Sequence, residues 1–159
     1  MDKLEQDTND RVVRAIEKYA DMVRRICYIY LKNYYDVEDI FQDVFLQHFR
    51  NEVSFESDEH EKAWLIRVTI NKCKDLHKSF SRSRVCPLDD IEISCEDETE
   101  NEVMHEVLAL PQKYKNVIYL FYYEGYTVPE ISKMLQTREN TIYSHLHRAR
   151  KILKEKLEM

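Results

Sequence analysis

The sequence predicts an all-α protein: two small helical domains joined by an acidic linker, the second containing a helix-turn-helix. Three observations carry this reading. Apolar residues recur at intervals of three or four along most of the 159 residues, which is the periodicity of helices. One glycine and three prolines are too few for the many turns of a β-sandwich and rule out a glycine-built phosphate loop. Charge, finally, is divided by segment. Residues 1–80 carry 13 basic and 16 acidic side chains (net −3), residues 81–110 carry 2 and 9 (net −7), and residues 111–159 carry 9 and 5 (net +4). The overall charge of −6 argues by itself against nucleic acid, yet it conceals a basic C-terminal end.

The acidic stretch RVCPLDDIEISCEDETE has weak periodicity and a proline, so it reads as a linker. The expected division is a domain over residues 1–80, a linker over 81–99 and a second domain over 100–159. Each unit is near the lower size limit for an independent core.

The first helix is expected over residues 12–31, with Val12, Ile16, Tyr19, Val23, Ile26 and Tyr30 on one side. Asp36 is the expected N-cap of the second, with Asp39 in its first turn facing the helix dipole. Ile40, Phe41, Val44, Phe45 and Phe49 then form an apolar stripe, with Glu38, Asp39, Gln42, Asp43 and Gln47 on the other faces. A polar loop over 51–60 follows, and Asp58 with Glu61 is the expected cap of a third helix over 62–78. That helix carries apolar residues on two sides, Trp64, Leu65 and Val68 on one and Ile66, Ile70 and Cys73 on another, so it is covered from more than one direction.

Beyond the linker, Val103, Val107 and Leu110 mark a short helix. Pro111 suits the first position of the next, whose buried side is Tyr114, Val117, Ile118 and Phe121. Gly125 falls where a chain leaving that helix needs a positive φ. Thr127 and Glu130 spell a capping box, with Pro129 tolerated in the first turn. Ile131 and Leu135 point inward, a break follows at Gln136 and Thr137, and Ile142, Leu146, Ala149, Leu153 and Leu157 form the last stripe. Two helices joined by so short a turn are the helix-turn-helix pattern, although any helical hairpin shares the spacing.

The outward face of the last helix suits duplex DNA. It carries Arg138, Asn140, Thr141, Tyr143, Ser144, His147, Arg148 and Lys151, and six Lys or Arg lie between Arg138 and Lys156 against Glu139 and Glu155. Asn and Arg bond base edges bidentately, and a Thr methyl or Tyr ring meets a thymine methyl. Arg148 and Lys151 are better placed for phosphates.

Catalysis and metal chemistry find no support. Ser79, Ser81 and Ser83 have no identifiable base, and Asp36, Asp39 and Asp43 have no Glu-x-x-His partners. Cys27, Cys73, Cys86 and Cys95 show no zinc spacing, so no metal and no cofactor is expected. MDKLEQDTND is acidic without an apolar core, and no apolar run approaches 18 residues. A cytoplasmic protein with reduced thiols and no membrane insertion is therefore expected.

Two blocks of sequence carry a resemblance. The first is DVEDIFQDVFLQHFR, residues 36–50, followed by KAWLIRVTINKCKDLHK, residues 62–78. The second is LPQKYKNVIYLFYYEGYTVPEISKMLQTRENTIYSHLHRARKILKEKL, residues 110–157. Together they resemble bacterial sigma-70 factors of the extracytoplasmic-function group. The resemblance implies a protein that binds core RNA polymerase, at the β′ clamp helices and β flap, and directs it to promoter DNA.

Carried over, it places Asp36, Glu38, Asp39, Gln42, Asp43, Gln47 and Phe49 at the polymerase contact. It places the loop 51–60 with Lys62, Trp64, Arg67, Asn71, Lys72, Lys74 and Lys78 at the single-stranded −10 element. Trp64 has a second reading, as an anchor of the domain core. Arg138, Asn140, Thr141, Tyr143, Ser144, His147, Arg148 and Lys151 fall at the −35 duplex. An anti-sigma protein is a further implied partner. Relatives commonly carry Gly at the positions of Gln136 and Asn140, and Lys and Arg at those of Tyr143 and His145. The likeness also implies a linker route near the RNA exit path, where the net −7 would mimic nucleic-acid charge. Two other readings stay open on the residues alone: a stand-alone helix-turn-helix regulator, and a helical protein-interaction module without DNA specificity.

Overall fold

The computed structural model describes residues 3–51, 54–83 and 98–158, and among these it is all-helical. The chain divides into two compact units, residues 1–91 and 92–159. Most of the segment expected as a linker, residues 84–97 with Cys86 and Cys95, lies outside the described residues.

The N-terminal unit packs three helices against one another: α1 (Lys3–Tyr30), α2 (Tyr34–Arg50) and α3 (Asp58–Ser83). Its core is Tyr19, Val23, Ile26 and Cys27 of α1, Val37, Ile40, Phe41, Val44 and Phe45 of α2, and Leu65, Ile66, Ile70 and Cys73 of α3. Each fully buried Leu, Ile, Val or Phe contributes about 1.5–3 kcal/mol relative to exposure. The double burial expected of α3 is present, because α1 covers one side and α2 the other. The neighbouring Cys27 thiol and burial together push the Cys73 thiol far up.

Two caps differ from expectation. Asn33, not Asp36, caps α2, its side chain accepting the Tyr35 amide at 2.8 Å. Asp36 sits within the first turn, where burial and the neighbouring Asp39 charge raise its carboxyl. Ser57, not Asp58, accepts the His60 amide at 3.1 Å, so α3 begins at Asp58 and the loop is shorter than expected. Asp58 instead pairs with Lys18 at 2.8 Å, and its carbonyl accepts the Tyr19 hydroxyl at 3.1 Å. Phe49, expected in the buried stripe, is 43% exposed, while His48 beside it is fully buried.

The C-terminal unit contains α4 (Glu98–Leu108), α5 (Gln112–Ile118), α6 (Val128–Leu135) and α7 (Glu139–Leu157). Pro111 is the N-cap of α5 rather than its first residue. The helix widens into a π turn over Tyr119–Tyr123. That wider turn advances the register, so Tyr119 and Leu120 are buried while Phe121 is only half-buried. Gly125 has φ +74, and the Tyr126 amide closes over it onto the Leu120 carbonyl at 3.0 Å. The space for a Cβ there is open, so the demand for glycine is conformational.

The Thr127–Glu130 capping box forms in both directions and starts α6. The chain turns at Gln136, whose φ of 53 makes it left-handed. Ile131, Ile142, Leu146 and Ala149 fill the core between α6 and α7, whereas Leu157 at the end of the stripe is exposed.

Candidate nucleic-acid and polymerase interfaces

On α7 the buried stripe Ile142, Leu146 and Ala149 leaves the opposite face to Asn140, Ser144, His147 and Lys151, all exposed. Thr141 and Arg148 lie on the flank toward α5, and Tyr143 and Arg150 on the other. Arg138 is exposed at the N-cap and caps nothing with its side chain. The α7 N-terminus therefore presents open amide groups beside Asn140 and Thr141.

The α5 flank carries charge that sequence reading did not single out. Arg148 beside the Tyr114 hydroxyl holds that phenol below its usual range, with Lys113 adding to the effect. The Tyr114 ring is buried, and the His145 ring meets it edge-on at 5.6 Å. Burial first, then the charges of Lys113 and Arg148, lower His145 below the ordinary imidazole value. Lys113, from a helix outside the helix-turn-helix, thus joins the same positive field. Only folding shows this, because 35 residues of sequence separate Lys113 from Arg148. On the other flank Arg150 donates to the Tyr122 hydroxyl at 2.5 Å and lies over Phe121, so it is engaged within the domain.

On α3, Arg67, Asn71, Lys74 and Lys78 follow one another along a single stripe, adjoining Trp64. Lys62 and Lys72 fall off it, by helical spacing, toward the packed side. Trp64 is half-buried and meets Phe55 at 5.5 Å and His48 at 5.8 Å, both edge-on.

On α2 the exposed face combines acid with apolar surface. Asp39, Gln42, Asp43 and Gln47 stand with Phe49, and with Leu46 and Tyr35, which are 48% and 73% exposed. Neither of those last two was expected there; an outward apolar residue is indistinguishable from a core one by type alone. Glu38 is turned to the flank, where it accepts from Arg24 at 3.1 Å. The Arg24 guanidinium in turn lies 4.1 Å over the Phe41 ring. Among the described residues no cluster of three or more His, Cys, Asp or Glu is able to hold a metal, and no helix is long and apolar enough to cross a membrane.

Residues 4–83 match the family model described as Sigma-70 region 2, and residues 100–153 match Sigma-70, region 4. The chain belongs to the sigma-70 family, in its extracytoplasmic-function group. Among curated sigma factors it is 25% identical to the ECF RNA polymerase sigma factor SigW of Bacillus subtilis, across 98% of this chain and 93% of that one. It is 26% identical to RNA polymerase sigma factor SigV of the same organism, across 98% and 96%. The sigma factor RpoE of Bartonella quintana, solved in complex with the anti-sigma factor NepR, shares the fold at TM-score 0.74. That alignment has 18% identity and covers 92% of this chain and 96% of the other. CnrH, solved with the cytosolic domain of CnrY, aligns at TM-score 0.66 and 20% identity over 98% and 95%. This sigma factor binds core RNA polymerase and promoter DNA, and it directs transcription initiation.

Proposed function

We propose the following division of labour within this sigma factor. The exposed face of α2, built on Asp39, Gln42, Asp43, Gln47 and Phe49 with Asp36 and Glu38 beside it, grips the β′ clamp helices. The loop after α2 and the stripe of Trp64, Arg67, Asn71, Lys74 and Lys78, with Lys62 and Lys72 at its margins, hold the −10 element as a melted strand. A backbone held by Lys and Arg and bases set against aromatic rings suit a single strand. Helix α7 reads the −35 duplex, with Asn140, Thr141, Tyr143, Ser144 and His147 toward base edges and Arg138, Arg148 and Lys151 toward phosphates. The 1–80, 81–99 and 100–159 division follows the same roles.

The observation that supports this reading most is the segregation of charge by face. The α2 face is acidic and apolar, whereas the exposed stripes of α3 and α7 are basic. One surface suits a protein and the other two suit phosphate. The protein works in the cytoplasm, carries no active site of its own and leaves nucleotidyl transfer to the polymerase. An anti-sigma protein covering these surfaces restrains it.

The test combines purified protein with core polymerase. Specific initiation is expected on a promoter that core alone ignores. Failure to bind core at low and moderate salt would overturn the assignment, and duplex binding without core would favour a stand-alone regulator.

A further inference from the structure

A buried histidine joins the two halves of the N-terminal interface. His48 lies on α2, on the opposite side from the polymerase-facing surface, and is completely buried. Its Nε2 is 2.9 Å from the Glu61 carboxylate in the first turn of α3. The other ring nitrogen, Nδ1, is buried without a hydrogen-bond partner. The ring stacks on Phe55 with centroids 5.5 Å apart and planes 27° apart. Phe55 in turn meets Trp64 and His60 edge-on.

Such an arrangement is expensive if packing is its only purpose. An unsatisfied buried polar atom costs about 1–3 kcal/mol, and an apolar side chain of similar size would avoid that. What an imidazole adds is direction. The bond to Glu61 fixes the plane of the ring, and the fixed ring presents a flat face to Phe55. The described ends of the loop are tied to α1. Arg11 donates to the Asn51 carbonyl at 3.0 Å, and Tyr19 with Lys18 holds Asp58. Between those anchors Phe55 packs on His48, Trp64 and His60, and the Glu56 amide donates to His60 Nδ1 at 3.2 Å; of these contacts His48 is the one that comes from α2.

We propose that His48 is the positioning residue of the −10 loop: clamped by Glu61, it seats Phe55 and thereby shapes the surface that receives the melted strand. The inference rests on the proposed role of this loop, and it deepens that role. His48 does not touch DNA. It acts through Phe55, and it couples the loop to the helix that meets the polymerase.

The experiment uses the full chain assembled with core polymerase. A pool of single-stranded oligonucleotides with randomised central positions is first selected with the wild-type holoenzyme, and the selected strand is the probe. If the wild-type holoenzyme selects no sequence, the −10 reading itself fails. If it does select one, His48→Leu is expected to bind that strand about tenfold more weakly, with core affinity and −35 duplex affinity unchanged. Phe55→Ala is expected to show the same loss, and the double variant no further loss, because both changes remove one shared contact. Phe55→Tyr keeps the ring and should retain binding. Glu61→Gln, at the edge of the cluster, tests the clamp without emptying the core and should fall between wild type and His48→Leu. Wild-type strand binding by both His48→Leu and Glu61→Gln, or losses that multiply in the double variant, would overturn the proposal.

Discussion

Arg148 on the outward face of α7 lies beside Tyr114 at the start of α5, and its interaction with the phenol holds that group below its usual range. Arg148 itself stays exposed, where a phosphate can reach it. Arg148→Ala should weaken many duplexes alike and lower the salt dependence of binding by about one unit in the log–log slope. The Tyr114 phenol should rise toward its ordinary value. Salt-titrated binding isotherms and a spectrophotometric titration of the variant check both outcomes.

Gln136 occupies the left-handed region at the helix-turn-helix turn, the only described non-glycine residue with positive φ. A side chain there costs about 1–2 kcal/mol, while glycine adds about 0.5–1 kcal/mol of unfolded-state entropy. Gln136→Gly should therefore stabilise the C-terminal unit by a few tenths to about 1 kcal/mol. Gln136→Asn should fall between, since asparagine tolerates this region. Denaturant unfolding read by a probe in this unit decides it, and a destabilised glycine variant would contradict the strain.

Asp39 and Asp43 lie one helical turn apart on the exposed face of α2 and make no described hydrogen bond or ion pair. Reversing both to Lys should leave the melting curve nearly unchanged, because neither supports the core. Affinity for core polymerase should fall at least tenfold, with −35 duplex binding by the free protein intact. Competition against a labelled sigma factor for core measures the first effect, and undiminished affinity would remove this face from the interface.

His145 is held below its ordinary value of 6.5 by burial, then by Lys113 and Arg148. The unfolded chain thus binds this proton more readily than the folded one, and protonation favours unfolding. The contribution of neutral His145 is complete above about pH 6.5 and is lost as the pH falls through the folded value. Thermal melts between pH 8 and 5 should show a decline in the wild type that is smaller in His145→Gln. Identical pH dependence in the two proteins would show that the shift is absent.

Caps and turns were legible wherever one residue type alone satisfied a backbone demand. Gly125 was assigned to a positive φ, and Thr127 with Glu130 to a capping box, and both take those roles. At the starts of α2 and α3 two capping residues compete within a few positions. Composition cannot choose between Asn33 and Asp36, or between Ser57 and Asp58; the choice follows from where the helix must begin for its apolar face to meet α1. Phe121 was misplaced because a π turn shifts the register, and a period of 3.6 cannot foresee the shift.

The outward faces were partly legible for the same reason. Arg67, Asn71, Lys74 and Lys78 share a stripe by spacing alone, yet the engagement of Glu38 by Arg24 and of Arg150 by Tyr122 was invisible, since each joins separate helices. Leu46 and Tyr35 had no distinguishing signal at all.

The sequence by itself determined the all-helical class, the break into oppositely charged segments and the helix-turn-helix, because periodicity, capping and net charge are local properties summed along the chain. Tertiary structure alone decided which charges stand together and which are consumed. Lys113 joins Arg148 around Tyr114, and His48 meets Glu61 and Phe55, only after packing brings separate elements within a few ångströms. Coulombic and hydrogen-bond energies depend on that distance in space, and separation along the chain does not report it.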